Sequence, residues 1–246
     1  MSRRDDNTVR CDACRMHVTL CICAIVPRLA TRTRVTVLVH HLESRKPSNT
    51  GRLAARCLER GAVEIVGQRH RLIEPPRIVD EVPLVLFPAE DAVPITEFSA
   101  TSQPVALFVP DGNWNQAKKM RRRGPGLAAF PCVTLPDPGR SEYRLRAEPW
   151  QGGLATLEAI ARALAVLEGD RGAAIESALL GIFRVMVERT LWFRGRLPSA
   201  QVAGGIPSAA VADDPRGQTT RRAAHALTGD RVAGGDPGPN DGSAPG

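Results

Sequence analysis

Four cysteines near the start of the chain are spaced Cys11-x2-Cys14-x6-Cys21-x-Cys23. Two close pairs of soft sulfur donors, carried on two turns, can surround a zinc ion tetrahedrally. An all-sulfur set leaves no position open for a substrate, so the expected role is structural. A redox pair or four packed thiols are the competing readings, and His17, inside the loop, is a weaker candidate ligand. Cys57 and Cys132 fall in a helical and a strand pattern and read as buried thiols. A second group of chemistry-bearing residues is scattered along the chain. It comprises His40 to Glu43 with Asn49-Thr50, Leu86-Phe87-Pro88, Asp111-Gly112-Asn113-Trp114, and Gly153 with Thr156 and Glu158. Each cluster alone has a plainer meaning: Asn49 and Thr156 can be helix caps, and Asp111 a turn residue. Together they sit where ligands of open parallel sheets bind, past the carboxyl ends of strands. No G-x-G-x-x-G follows a strand and no G-x-x-x-x-G-K-[ST] occurs, which excludes the usual dinucleotide and P-loop sites.

The elements that must position these clusters are legible as hydrophobic runs. RVTVLVHH, VEIVG, PLVLFPAE, PVALFVPDGNW and FPCVTLP are apolar and rich in β-branched residues, as buried strands are. SNTGRLAARCLERG reads as a helix capped by Ser48 or Asn49 and stopped by Gly61, and a second helix runs from about Trp114 to Arg122. Leu154, Leu157, Ile160, Leu164 and Leu167 mark one face of a third. Ile175, Leu179, Ile182, Phe183, Met186 and Val187 mark a fourth. Strands alternating with helices predict an α/β fold, a mostly parallel sheet with helices on both faces. The expected organisation is an N-terminal zinc-binding segment over 1–33, a catalytic domain over 34–195 and a disordered tail over 196–246. Gly, Ala, Pro and Asp without periodicity mark that tail.

The chain has 246 residues and a formal charge of +7. From Arg196 onward five Arg balance five Asp, so the whole surplus belongs to the first 195 residues. A basic folded body favours a polyanionic partner, nucleic acid first, although such a charge can also serve solubility alone. No apolar run reaches the roughly 20 residues of a membrane span. The first residues lack the apolar stretch of a signal peptide, so the expected compartment is the cytoplasm.

The cysteine pattern is followed in order by His40 and Glu43 as H-x-x-E, Asn49-Thr50-Gly51-Arg52-Leu53, Pro110-Asp111-Gly112-x-Trp114 and Thr156-Leu157-Glu158-Ala159. That series, from about Cys11 to Phe193, resembles the DTW-domain family, the tRNA-uridine aminocarboxypropyltransferases. The family signature is Asp-x-Thr-Trp, and this chain has Asn113 where Thr is expected. The resemblance implies a SPOUT-like fold with a C-terminal trefoil knot and S-adenosylmethionine as cosubstrate. It implies transfer of a 3-amino-3-carboxypropyl group to N3 of a uridine in tRNA, in bacterial members in the variable loop.

In that chemistry Asp111 accepts the N3 proton or pairs with the sulfonium, and Trp114 stacks on adenine or on an extruded uracil. Asn49, Thr50, Leu86, Phe87, Pro88, Thr156 and Glu158 are the expected donor-binding residues, with Thr156 and Glu158 at the amino-acid end. Lys118, Lys119, Arg121, Arg122, Arg123 and Arg144 are the expected tRNA contacts; a solvated helix end is the plainer reading of the first five. No obligate protein partner is evident. A SPOUT-type RNA methyltransferase, a relative acting on ribosomal RNA, and a non-catalytic zinc-ribbon nucleic-acid-binding protein are the competing functions.

Overall fold

The structure, a computed structural model, describes residues 9–44, 46–47, 49–68, 76–124, 126–137, 139–145 and 153–216. Its centre is a parallel sheet of six strands in the order β2-β1-β5-β3-β6-β4. The strands are β1 (Arg34–His40), β2 (Gly61–Val66), β3 (Val82–Leu86), β4 (Val93–Pro94), β5 (Val105–Asp111) and β6 (Cys132–Thr134). Among the described residues four α-helices accompany them: α1 (Thr50–Cys57), α2 (Trp114–Arg123), α3 (Thr156–Leu167) and α4 (Gly172–Phe193). The fold class read from the hydrophobic pattern is the observed one. β4, two residues long, carries no readable run and was not foreseen.

Alternation along the strands sorts the core into two layers. Val35, Val37 and Val39 of β1, Leu84 and Leu86 of β3, and Leu107 and Val109 of β5 face one side, where α1, α3 and α4 cover them. Leu38, Val85, Ala106 and Phe108 face the other, with Ala117 and Met120 of α2. The strand β1 therefore hands the chain to a helix on one face, and β5 to a helix on the opposite face. Adjacent strands that do this form a topological switch point, where the connections part and leave a crevice. β1 and β5 pair from Arg34 with Ala106 up to Val39 with Asp111, so Asp111 stands at the lip of that crevice. Pairing of β5 with β3 ends earlier, at Phe108.

Two expected boundaries differ. Gly61 does not stop α1, which ends at Cys57 and turns extended at Leu58. Gly61 opens β2 instead, where a Cβ would lie 2.1 Å from the Ala55 carbonyl oxygen, so only glycine fits. The cysteine loop and the start of the expected tail are also continuous with the body. Met16, Leu20 and Ile22 from one, and Leu197, Val202 and Ala210 from the other, are buried in the main core. Residues 217–246 of the expected tail lie outside the described residues. So do residues 146–152. Among the described residues no helix is long and apolar enough to cross a membrane.

Candidate active site and metal site

Asp111 is the residue on which the scattered motifs converge. It is nearly buried, and each carboxylate oxygen accepts a short hydrogen bond from a different helix start. Asn49 Nδ2 donates to Oδ2 at 2.6 Å, and Thr156 Oγ1 donates to Oδ1 at 2.6 Å. Asn49 is thereby used at both ends, because its Oδ1 caps α1 by accepting from Arg52 N–H at 2.9 Å. Thr156 is the first residue of α3 and not its cap, a place held by Ala155. Its hydroxyl is therefore spent on Asp111. Thr50 joins the same two helix starts, its Oγ1 accepting from Leu157 N–H at 3.4 Å. Two helix N-termini with their positive dipole ends thus close on one carboxylate, a stabilising arrangement for an anion.

Gly51 makes this approach possible. A Cβ there would sit 2.8 Å from Val37 Cγ1 and 2.9 Å from Asp111 Oδ2. Gly51→Ala is expected to destabilise the protein by about 1–3 kcal/mol through overpacking, as measured by denaturant unfolding. Combined with Asp111→Asn it should cost less than the two changes summed, because both strain the same contact. Strict additivity would show that the methyl is accommodated elsewhere.

The loop after Asp111 is held by its own sequence. Asn113 Oδ1 accepts from Gln116 N–H at 3.0 Å, and Gln116 Oε1 accepts from Asn113 N–H at 2.8 Å, a complete capping box for α2. A threonine at this position could serve the same cap, which accounts for the departure from the family signature without loss of the loop. Trp114, partly buried, packs against Phe87 with ring centroids 5.4 Å apart. His40 lies beside Gly112 and His41. Its imidazole is held below the ordinary range, chiefly by burial and then by His41 and Lys119, with Glu43 opposing.

Other expected donor contacts are turned inward. Glu158 is fully buried and its oxygens accept from Ala155 N–H at 2.8 Å, Glu142 N–H at 2.7 Å and Ser141 Oγ at 2.7 Å. Those three bonds fix the start of α3 against the 141–142 loop, so the carboxylate supports the site without facing a ligand's ammonium. Leu86 and Phe87 are buried. The Phe87 amide donates to Val133 at 3.0 Å and its carbonyl accepts from Cys132 Sγ at 3.2 Å, which leaves Pro88 as the exposed member. The basic set divides similarly. Lys118, Lys119, Arg122 and Arg123 are exposed on α2, whereas Arg121 pairs with Asp91 and Arg144 with Glu188 at 3.1 Å.

The four cysteine sulfurs lie within 4.8 Å of one another. Cys11 and Cys23 are 3.6 Å apart, Cys14 and Cys21 3.7 Å. Four sulfurs at the usual zinc distance of about 2.3 Å are separated by about 3.8 Å along each edge of the tetrahedron, so the cluster fits a metal of that size. Backbone N–H bonds, from Cys14 above all, pull the Cys11 thiol down to about 6, while burial pushes Cys14 up to about 12 and raises Cys21. His17 does not join them. It bonds Thr19 Oγ1 at 2.7 Å and stacks on Phe193 at 5.0 Å. Thr19 in turn donates to Asp213 at 2.8 Å, which ties the loop to the segment after α4. Sequence reasoning missed Arg56, whose guanidinium reaches Cys23; its spacing of seven from Asn49 on one helix was the available signal.

Comparison with known proteins finds one family model, the DTW domain, matching residues 8–191. A protein of Drosophila melanogaster named tRNA-uridine aminocarboxypropyltransferase 2 is 34% identical over 167 residues, covering 65% of this chain and 66% of that protein. One from Arabidopsis thaliana named tRNA-uridine aminocarboxypropyltransferase A is 31% identical over 216 residues, covering 72% and 79%. One from Mus musculus, again named tRNA-uridine aminocarboxypropyltransferase 2, is 30% identical over 168 residues, covering 64% and 56%. No solved structure matches the chain.

Proposed function

The chain belongs to the DTW domain family, and from that premise we propose that it transfers a 3-amino-3-carboxypropyl group from S-adenosylmethionine to N3 of a uridine in tRNA. The single observation that carries the proposal is the convergence of Asn49 and Gly51, from one family motif, and Thr156, from another, on the carboxylate of Asp111 at the switch point. Relatives bearing that activity in their names support it.

S-adenosylmethionine, when bound, supplies an electrophilic sulfonium carbon and the aminocarboxypropyl group attached to it. The fit rests on the donor set in the crevice: an anionic, nearly buried carboxylate for a cationic ligand, with an aromatic pair nearby. The carboxylate of Asp111 accepts the imide proton of uridine N3 or faces the sulfonium charge. Its neutral neighbours fix the orientation of the carboxylate before the substrates arrive, which is what lowers a barrier in a preorganised site. Trp114, with its ring braced by Phe87, offers a flat face to a base. Lys118, Lys119, Arg122 and Arg123 face solvent from the helix that Asp111 leads into, and take tRNA phosphates. Arg121 and Arg144 hold acidic partners within the protein and orient their surroundings. The uridine is expected in the variable loop. The four cysteines hold a structural zinc, and the protein acts in the cytoplasm, where tRNA is.

The test is to incubate the purified protein with unmodified tRNA and S-adenosylmethionine, then digest the RNA and weigh its nucleosides. The expected product is uridine heavier by an aminocarboxypropyl group, with methylthioadenosine released. Uridine heavier by a methyl group, with S-adenosylhomocysteine released, would instead establish a methyltransferase. No modification and no binding of S-adenosylmethionine would leave a zinc-dependent RNA-binding protein.

A further inference from the structure

The cysteine cluster has a cationic neighbour outside its own loop. Arg56 lies in the last turn of α1, and both of its terminal nitrogens are directed at one atom, Cys23 Sγ, at 3.6 and 3.5 Å. A cation in the last turn of a helix is favoured by the helix dipole, but that attraction does not aim two donors at a single sulfur. A neutral thiol is a weak acceptor, whereas a thiolate takes charge-assisted bonds. Four thiolates around a divalent cation carry net negative charge, which a forked, permanently charged guanidinium matches well. Another cation near the cluster, Arg189, is buried and addresses backbone, donating to the carbonyls of Cys21 at 3.3 Å and Gly205 at 3.2 Å. Arg56, by contrast, addresses the sulfur itself.

We propose that Arg56 is a positioning residue of the metal site, bonding the zinc-bound Cys23 thiolate through both guanidinium nitrogens and thereby slowing its protonation, alkylation and displacement. The proposal rests on reading the four cysteines as zinc ligands. Donation into Sγ withdraws electron density from the sulfur, so Cys23 holds the metal while being less nucleophilic than an unpartnered thiolate. Arg56 belongs to the body of the fold and the cysteines to the N-terminal loop. Their bond also locks the loop's orientation against α1.

The test uses the full chain loaded with zinc, and two readouts that need no substrate. Zinc affinity is measured by competition with a chromophoric chelator, and the order of cysteine alkylation by iodoacetamide and peptide mass mapping. Arg56→Met, which keeps the length and loses the charge and donors, is expected to weaken zinc binding about 10- to 100-fold, the usual loss when a group supporting a metal ligand is removed. Cys23 should become the first cysteine alkylated. Arg56→Lys keeps the charge but not the fork, and should fall between. Zinc affinity within about threefold of the parent, with the order of alkylation unchanged, overturns the role. Should the methionine variant fail to fold, the lysine variant decides by the same criterion. A parent protein that carries no zinc at all would refute the metal reading and, with it, this role of Arg56.

Discussion

Asp111→Ala is expected to abolish turnover and to lower the melting temperature by on the order of 10 °C. The stability loss follows from what the carboxylate satisfies. Its removal leaves Asn49 Nδ2 and Thr156 Oγ1 without an acceptor in a nearly buried place. Hydrogen bonds to a charged group contribute about 1.5–3 kcal/mol each, so about 3–6 kcal/mol is lost with these two. In a protein of this size each kcal/mol shifts the melting point by about 2–4 °C. Asp111→Asn separates the structural from the chemical role. Its amide can offer oxygen to Asn49 and N–H to the Thr156 hydroxyl, which rotates to accept, so the fold keeps both contacts. Its charge and basicity are gone, and turnover is expected to fall by roughly 10²-fold or more. Near-normal turnover by a folded asparagine variant, with unchanged binding of S-adenosylmethionine, would remove Asp111 from the chemistry altogether. It would remain as the pin that joins α1 to α3.

The second large effect is expected at the cysteines. Cys21→Ser should lose zinc, lower the melting temperature by about 10 °C and weaken tRNA binding by about tenfold, while leaving affinity for S-adenosylmethionine within about threefold. A structural metal contributes folding energy directly, and here the loop it organises is part of the main core. Leu20 and Ile22 are almost wholly buried there, and Arg189 bonds the Cys21 carbonyl. Loss of the metal therefore reaches the body of the protein, more than a free-standing knuckle would. Asn49 and Thr156, which bond Asp111, lie outside the loop, which is why donor binding should survive. Metal analysis giving no zinc, or a loss of donor affinity as large as the loss of tRNA affinity, would show that this division is wrong.

Asn49, Glu158 and the segment after Arg196 show where reading by neighbours succeeds and where it stops. Asn49 is a cap, as its position before an amphipathic run implies, yet its amide nitrogen serves Asp111. Glu158 reaches back to the amide at the start of its helix, a local habit that the missing Ser or Thr at Ala155 concealed. Leu197, Val202 and Ala210 are anchors in or beside short 3-10 turns, too irregular in spacing to register against a Gly- and Pro-rich background.

The sequence by itself determined the runs of every strand but β4, the Asn49 cap of α1, the cysteine spacing and the basic face of α2. Each depends on residues a few positions apart, where backbone geometry alone sets what meets what. Tertiary structure decided that Asn49 and Thr156 share Asp111 across 62 and 45 residues, and that Arg56 reaches Cys23 across 33. Those meetings depend on strand order. Nothing local places β1 beside β5, sends their helices to opposite faces, or brings the first turn of α3 back to the lip between them.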